Sequence, residues 1–179
     1  MNRRLLISIH LYLASFFAPI LLLMALSGFF YLLDIKGSVT ETVVYEGAAE
    51  SLTLGSDTQL SDVRALLDRL ELDADVEYLR GNAKRVITRP TSKTHYLIST
   101  DDKQLVVTQR EPNWIAQIIE LHKGHGPYWF RLLQKVMAVG LIIIVLSGFL
   151  LGITSPALKK KSWWITASGL LVMVLLALS

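Results

Sequence analysis

The side chains best able to do chemistry in this chain are histidines placed beside long apolar runs. His10 stands about five positions inside one run, and His122 and His125 bracket Lys123-Gly124 just before another. An ionisable residue inside an apolar span is costly and is a functional candidate by default. Both runs close on the same four residues, Leu-Ser-Gly-Phe, at 26–29 and again at 146–149. The order histidine, apolar run, Ser-Gly therefore occurs twice. Two successive membrane helices cross in opposite directions, so the copies are inverted. This puts His10 near the depth of Ser147-Gly148, and His122 and His125 near that of Ser27-Gly28. The chemistry that would unite these features is haem. A neutral imidazole is a good axial ligand for haem iron, which makes His10, His122 and His125 the candidate metal ligands. Gly28 and Gly148 would leave room for a flat macrocycle. Arg131 and Lys135, spaced i,i+4 on one helical face, suit its propionates.

Each feature also has a plainer reading. Ser-Gly pairs in membrane helices are often close-packing points between helices. Arg131 and Lys135 can snorkel to lipid headgroups, and a histidine in a polar, glycine-rich segment such as 122–126 is often a surface residue. His95 falls in a strand that reads as half exposed, and no role is assigned to it. His10 and the His122/His125 pair are expected on opposite sides of a bilayer, so one chain does not supply both ligands to a single iron. The expectation is either two sites completed by a second subunit, in a homodimer or larger membrane complex, or binding on one side only.

The elements that must hold these residues follow from composition. The chain has 179 residues, of which 52% are hydrophobic and 18% charged, whereas soluble domains carry nearer a quarter charged residues. All fifteen acidic residues lie between Asp34 and Glu120. The outer segments read as membrane and the middle as one small domain. From Asp34 to Pro127, fifteen acids oppose eleven Lys and Arg, a net of −4, so the overall +3 comes from the flanks and does not indicate a nucleic-acid partner. The chain has no cysteine, which excludes disulfides and thiolate sites.

Leu5–Leu33 is 29 residues without a formal charge, too long for the core of a cleaved signal. As a helix it reaches roughly 43 Å against a hydrocarbon core of ~30 Å, so it must tilt, protrude or bend, with Pro19 a plausible kink. Val136–Ile153 is a second apolar run and Trp163–Leu178, opening on two interfacial tryptophans, a third. Arg3-Arg4 and Lys159-Lys160-Lys161 then predict a cytoplasmic N-terminus, a periplasmic middle domain and a C-terminus on the periplasmic side. The fold expected is an α-helical membrane protein with three transmembrane helices and a small α+β domain inserted between the first two. Its segments are a first span over 1–34, the domain over 35–112, an interfacial helix and turn over 113–135, and spans over 136–155 and 162–179. Within the domain, β-branched Thr40–Glu46 predicts a strand. Val63, Leu66, Leu67 and Leu70 predict a helix over Leu60–Leu72, capped by Ser61 or Asp57. Val76–Arg80, Arg85–Arg89, His95–Thr100 and Leu105–Thr108 predict four more strands, with a tight turn at Gly81-Asn82 and another connection at Asp101-Asp102. A nucleophile–histidine–acid order, a phosphate-binding glycine loop and a dinucleotide fingerprint are all absent from the sequence of this domain, so no catalytic residue is assigned.

Ile9-His10-Leu11-Tyr12-Leu13 leading to Leu26-Ser27-Gly28, a small α+β domain, then Leu121-His122-Lys123-Gly124-His125-Gly126 leading to Leu146-Ser147-Gly148, together resemble the PepSY-associated transmembrane proteins. The resemblance implies a PepSY-like fold for the domain. It also implies kinship with inner-membrane reductases that release iron from ferric siderophores by means of b-type haems, with His10 and one or both of His122 and His125 as ligands. Those reductases have at least four spans, which favours an electron-transfer subunit, a dimer or a non-catalytic relative here. The expectation is thus a haem b-binding inner-membrane protein passing electrons toward a ferric siderophore. The alternative is a cofactor-free, membrane-anchored module whose domain binds a periplasmic protein or peptidase.

Overall fold

The computed structural model describes residues 3–48, 60–82, 84–101 and 104–179. In chain order it contains α1 (Arg3–Leu32), β1 (Val39–Ala48), α2 (Leu60–Arg69), β2 (Tyr78–Asn82) and β3 (Arg85–Arg89). These are followed by β4 (His95–Asp101), β5 (Gln104–Pro112), α3 (Trp114–His122), α4 (Tyr128–Ile153) and α5 (Lys159–Ala177). The chain divides into two compact units, Met1–Leu21 with Lys135–Ser179, and Leu22–Gln134.

The first unit is helical. Its α1 and α4 portions are antiparallel, since contacts descend along one as they climb the other: His10 meets Ser147, and Phe17 meets Gly140. At Gly140 the Phe17 ring fills the place where a Cβ would stand, so the absence of a side chain lets the two helices close up. α1 runs on through Pro19. At the start of α5, Trp163 stacks edge-on against Phe149, with centroids 5.7 Å apart.

The expectation of three transmembrane helices is corrected here. Among the described residues, two helices, Arg3–Leu32 and Tyr128–Ile153, are long and apolar enough to cross a membrane. The third expected span is α5, whose 19 residues open on Lys159-Lys160-Lys161. Removing that charged turn leaves a segment of roughly 24 Å, short of a ~30 Å core. The expectation that the C-terminus lies beyond a third crossing loses its basis with it.

The second unit is built on a five-stranded antiparallel sheet of order β1-β5-β4-β3-β2. Alternation along the strands sends two sets of side chains to opposite faces. On one face Val86, Tyr96, Ile98, Leu105 and Val107 join Val63, Leu66 and Leu67 of α2 in the hydrophobic core. α2 presents these residues because they recur at the 3,4 spacing of one helical face. The opposite face carries Ile87, Arg89, His95 and Arg110, with His95 and Arg110 directly paired across β4 and β5. α3 turns its buried Ala116 and Ile119 inward. It is capped by Asn113, whose Oδ1 accepts from the Ala116 amide at 3.0 Å. Gly37 (φ 73°) makes this cap possible, since a Cβ there would strike both Asn113 Oδ1 and the Ala116 amide. The five strands arise where the sequence predicts them: Arg85–Arg89 coincides with β3, and the ends of the others move by at most four residues. The turn after β2 falls two residues later than predicted, because Gly81 and Asn82 pair with Val86 and Arg85 inside the hairpin. Asn82 Oδ1 closes it by accepting from the Lys84 and Arg85 amides, each at 3.0 Å. Ser61 lies within α2 and does not precede it. Asp57 and Asp102 lie outside the described residues.

Candidate functional site: two histidine–serine–glycine arrangements

Each half of the inverted repeat folds onto a histidine. In the first unit, Nδ1 of His10 lies 2.9 Å from the Ser147 hydroxyl and 3.2 Å from the Ile144 carbonyl oxygen. Ser147 Oγ also donates back to Ile144 O at 3.0 Å. A carbonyl oxygen can only accept, so this geometry assigns the neutral ring's proton to Nδ1 and leaves the Nε2 lone pair free. A Cβ on Gly148 would stand 3.1 Å from His10 Cε1, so the glycine makes room for the imidazole edge.

The second unit repeats the pattern. His122 Nδ1 lies 2.9 Å from Ser27 Oγ and 3.0 Å from the Met24 carbonyl oxygen. Ser27 Oγ donates to Leu23 O and Met24 O at 2.8 and 3.0 Å. A Cβ on Gly28 would stand 3.3 Å from His122 Cε1. In both cases the carbonyl belongs to the residue three before the serine, and the glycine follows it. Among the described residues, Nε2 has no hydrogen-bond partner in either ring. Fixing Nδ1 to an acceptor is how proteins orient an imidazole whose Nε2 binds a metal. Gln134 braces the second arrangement, its amide donating to Leu121 O at 2.7 Å.

A family model described as PepSY_TM-like matches residues 57–179, well over half of the chain. The chain belongs to the PepSY_TM-like family. No curated protein and no solved structure matches it. The family and the two apolar helices mark a membrane protein. The matched stretch of this PepSY_TM-like chain includes His122, Ser147 and Gly148, while His10, Ser27 and Gly28 precede it.

The other expected site residues go elsewhere. His125 meets no Ser-Gly; its Nδ1 is 2.7 Å from Glu120 Oε2. Glu120 also accepts from Thr91 Oγ1 at 2.5 Å and Lys123 Nζ at 2.7 Å, with Arg89 Nη1 at 3.5 Å. Burial alone would raise the Glu120 carboxyl, but the hydrogen bonds from Lys123, Thr91 and His125 and the charge of Lys123 bring it down to about 2. Arg131 donates to Glu77 Oε2 at 2.8 Å and lies over the Tyr78 ring, so its charge is engaged within the domain. Glu77 Oε1 also accepts from the Tyr128 amide at 2.7 Å, at the start of α4. Lys135 is exposed and has no partner among the described residues. The described residues hold no group of three His, Cys, Asp or Glu side chains placed for a metal ion, so each arrangement offers one ligand and no cage.

Sequence reasoning passed over Glu120, Glu77 and His95. Far from half exposed, His95 is buried, with Nδ1 2.9 Å from Lys93 O. Burial, joined by the charges of Arg110 and Arg89, holds its pKa below the ordinary value. The available signal was its place opposite Arg110, which requires the register of β4 on β5. Two cavities adjoin in this unit, sharing Tyr31, Ile119 and Lys123. One, of about 240 Å³, is bordered by Ser27, Gly28 and His122; the other, of about 320 Å³, by Arg89, His95, Arg110, Glu120 and His125.

Proposed function

We propose that this PepSY_TM-like protein is a haem b-binding membrane protein, in which Nε2 of His10 and Nε2 of His122 would each hold a haem iron. The observation that carries the reading is the repeated anchoring of Nδ1 by a carbonyl and a serine hydroxyl, which orients each ring and keeps its Nε2 lone pair available. The donor set fits, because b-type haem iron takes neutral imidazole. Gly28 and Gly148 seat the imidazoles. A haem, when bound, supplies one-electron chemistry; this chain's residues orient the ligand and hold its proton on Nδ1. A further ligand to a bound haem would come from another subunit, in a homodimer or larger complex. The resemblance to inner-membrane ferric-siderophore reductases supports electron transfer toward periplasmic iron as the role. Arg3-Arg4 at one end of the first span, and Lys159-Lys160-Lys161 after the second, support a cytoplasmic side shared by both clusters and a periplasmic domain between the spans.

Oxidised and dithionite-reduced spectra of the purified full chain, expressed with haem precursor, test this. The expected result is a Soret band and a reduced b-type spectrum, with about half of the haem lost in His10→Ala and in His122→Ala. A colourless wild-type protein overturns the proposal, and unchanged haem content in both variants overturns the ligand assignment. The second reading is a cofactor-free, membrane-anchored module whose domain binds a periplasmic protein or peptidase, favoured by the same bonds: a His–Ser–carbonyl contact is sufficient as a staple between a membrane helix and a neighbouring helix. It predicts colourless protein whose His10→Ala and His122→Ala variants lose stability alone.

A further inference from the structure

The sheet face opposite the α2 core carries a concentration of positive charge at odds with the rest of its domain. Asp34–Pro127 has a net charge of −4 (fifteen acids, eleven bases). The cavity of about 320 Å³ on that face is nevertheless lined by Lys36, Arg89, Arg110 and Lys123 with one carboxylate, Glu120, in its wall; Lys36 also pairs with Asp34 and Arg110 with Glu41 outside the lining, while Arg89 and Lys123 share Glu120. That carboxylate is ionised and engaged by Thr91, Lys123, His125 and Arg89. The two guanidiniums come from β3 and β5 and flank His95 of β4, so the strands fix their spacing. The Nε–H groups of Arg89 and Arg110 are buried without a partner, an unfavourable arrangement that the domain tolerates in holding both heads at this wall. Guanidinium forks match carboxylate and phosphate oxygens in pairs, and the volume is at the small-metabolite end of ligand pockets.

We propose that this cavity binds a small anion bearing two or more oxyanion groups, held by Arg89 and Arg110 with Lys123 at its edge. The site uses different residues from the histidine arrangements and does not depend on haem. Carboxylates and phosphates share the recognising chemistry, so citrate and pyrophosphate are the two probes. Each is titrated calorimetrically into the full chain in neutral detergent, in a buffer free of both. The expected result is binding at ~1 mM or tighter by at least one probe, with preference between them naming the source. Arg110→Gln and Lys123→Gln should each weaken it by about tenfold or more. Lys93→Gln, whose exposed lysine pairs with Asp75, should leave it unchanged. Glu41→Gln releases Arg110 from its ion pair and should bind at least as tightly as wild type, so a merely structural role for Arg110 gives the opposite result. Absence of heat with both probes in the wild type overturns the proposal. So does undiminished binding in Lys123→Gln together with weakened binding in Glu41→Gln, which judges the site even if Arg110→Gln fails to fold.

Discussion

His10 and His122 make the same bonds in different surroundings. His10 belongs to a helical unit without a single Asp or Glu side chain, because all fifteen lie between Asp34 and Glu120. His122 belongs to the unit that holds every one of them, and next to it stand Lys123 and two adjoining cavities. The common part is local: a serine three residues past a carbonyl it already bonds, and a glycine immediately after. A transmembrane helix supplies that arrangement wherever Ser-Gly occurs, needing only an imidazole from a neighbouring element. What differs is which charges surround the ring and how much room lies beside it. Orientation of the imidazole is therefore a property of the repeated motif, and access and electrostatics are properties of each unit.

The largest effect that separates the two units is acid. Glu120 is lowered to about 2 from an ordinary 4.5. A depressed carboxyl contributes stability that is complete above 4.5 and lost as the pH falls toward 2. The upper bound is about 3 kcal/mol, reduced by the solvent that reaches the carboxyl. Thermal unfolding followed by circular dichroism between pH 5 and 2 should show the sheet destabilised in the wild type, with a shallower dependence in Glu120→Gln. The first unit has no acidic side chain to titrate in that window. Helical loss there in step with the sheet would break the contrast.

A smaller difference is expected from filling the glycines. Gly148→Val and Gly28→Val should each cost about 1–3 kcal/mol by overpacking. Gly148→Val should cost more, since a Cβ there stands 3.1 Å from an imidazole that is only partly exposed, against 3.3 Å from the exposed ring of His122. Hydrogen exchange read separately on α1, α3 and α4 measures both. Equal costs would mean that the His122 ring is as confined as that of His10. The smallest effect belongs to the serines. Ser147→Ala and Ser27→Ala each remove one side-chain hydrogen bond between elements, worth ~0.6 kcal/mol by the typical value for membrane helices. A double-mutant cycle with His10→Ala or His122→Ala isolates that coupling, and zero coupling in one arrangement would show that the repeated geometry is not repeated in energy.

Much of this architecture is legible in local pattern. The α2 helix follows from Val63, Leu66, Leu67 and Leu70, and the five strands from β-branched runs between turn residues, because burial on one face leaves a period in the sequence. The pairing of His10 with Ser147-Gly148 follows from the inverted repeat, because antiparallel helices of similar length bring the start of one to the end of the other. The third span was misread because apolar character continues to Leu178 while the helix spends its first turn on Lys159-Lys160-Lys161. Arg131 was read as available because i,i+4 spacing with Lys135 describes one helix only, whereas its partner, Glu77, lies 54 positions away.

The sequence by itself determined the charge segregation, the apolar helices, the strand pattern and the duplicated Leu-Ser-Gly-Phe, all encoded within a few turns or one strand length. Tertiary structure decided which of His122 and His125 meets the serine, that His95 is buried beside Arg110, and that four cations share one cavity in an acidic domain. These depend on strand register and on helices docking over a sheet face, and contacts such as His95 with Arg110, 15 positions apart, or His122 with Ser27, 95 apart, leave no periodic trace in the chain that makes them.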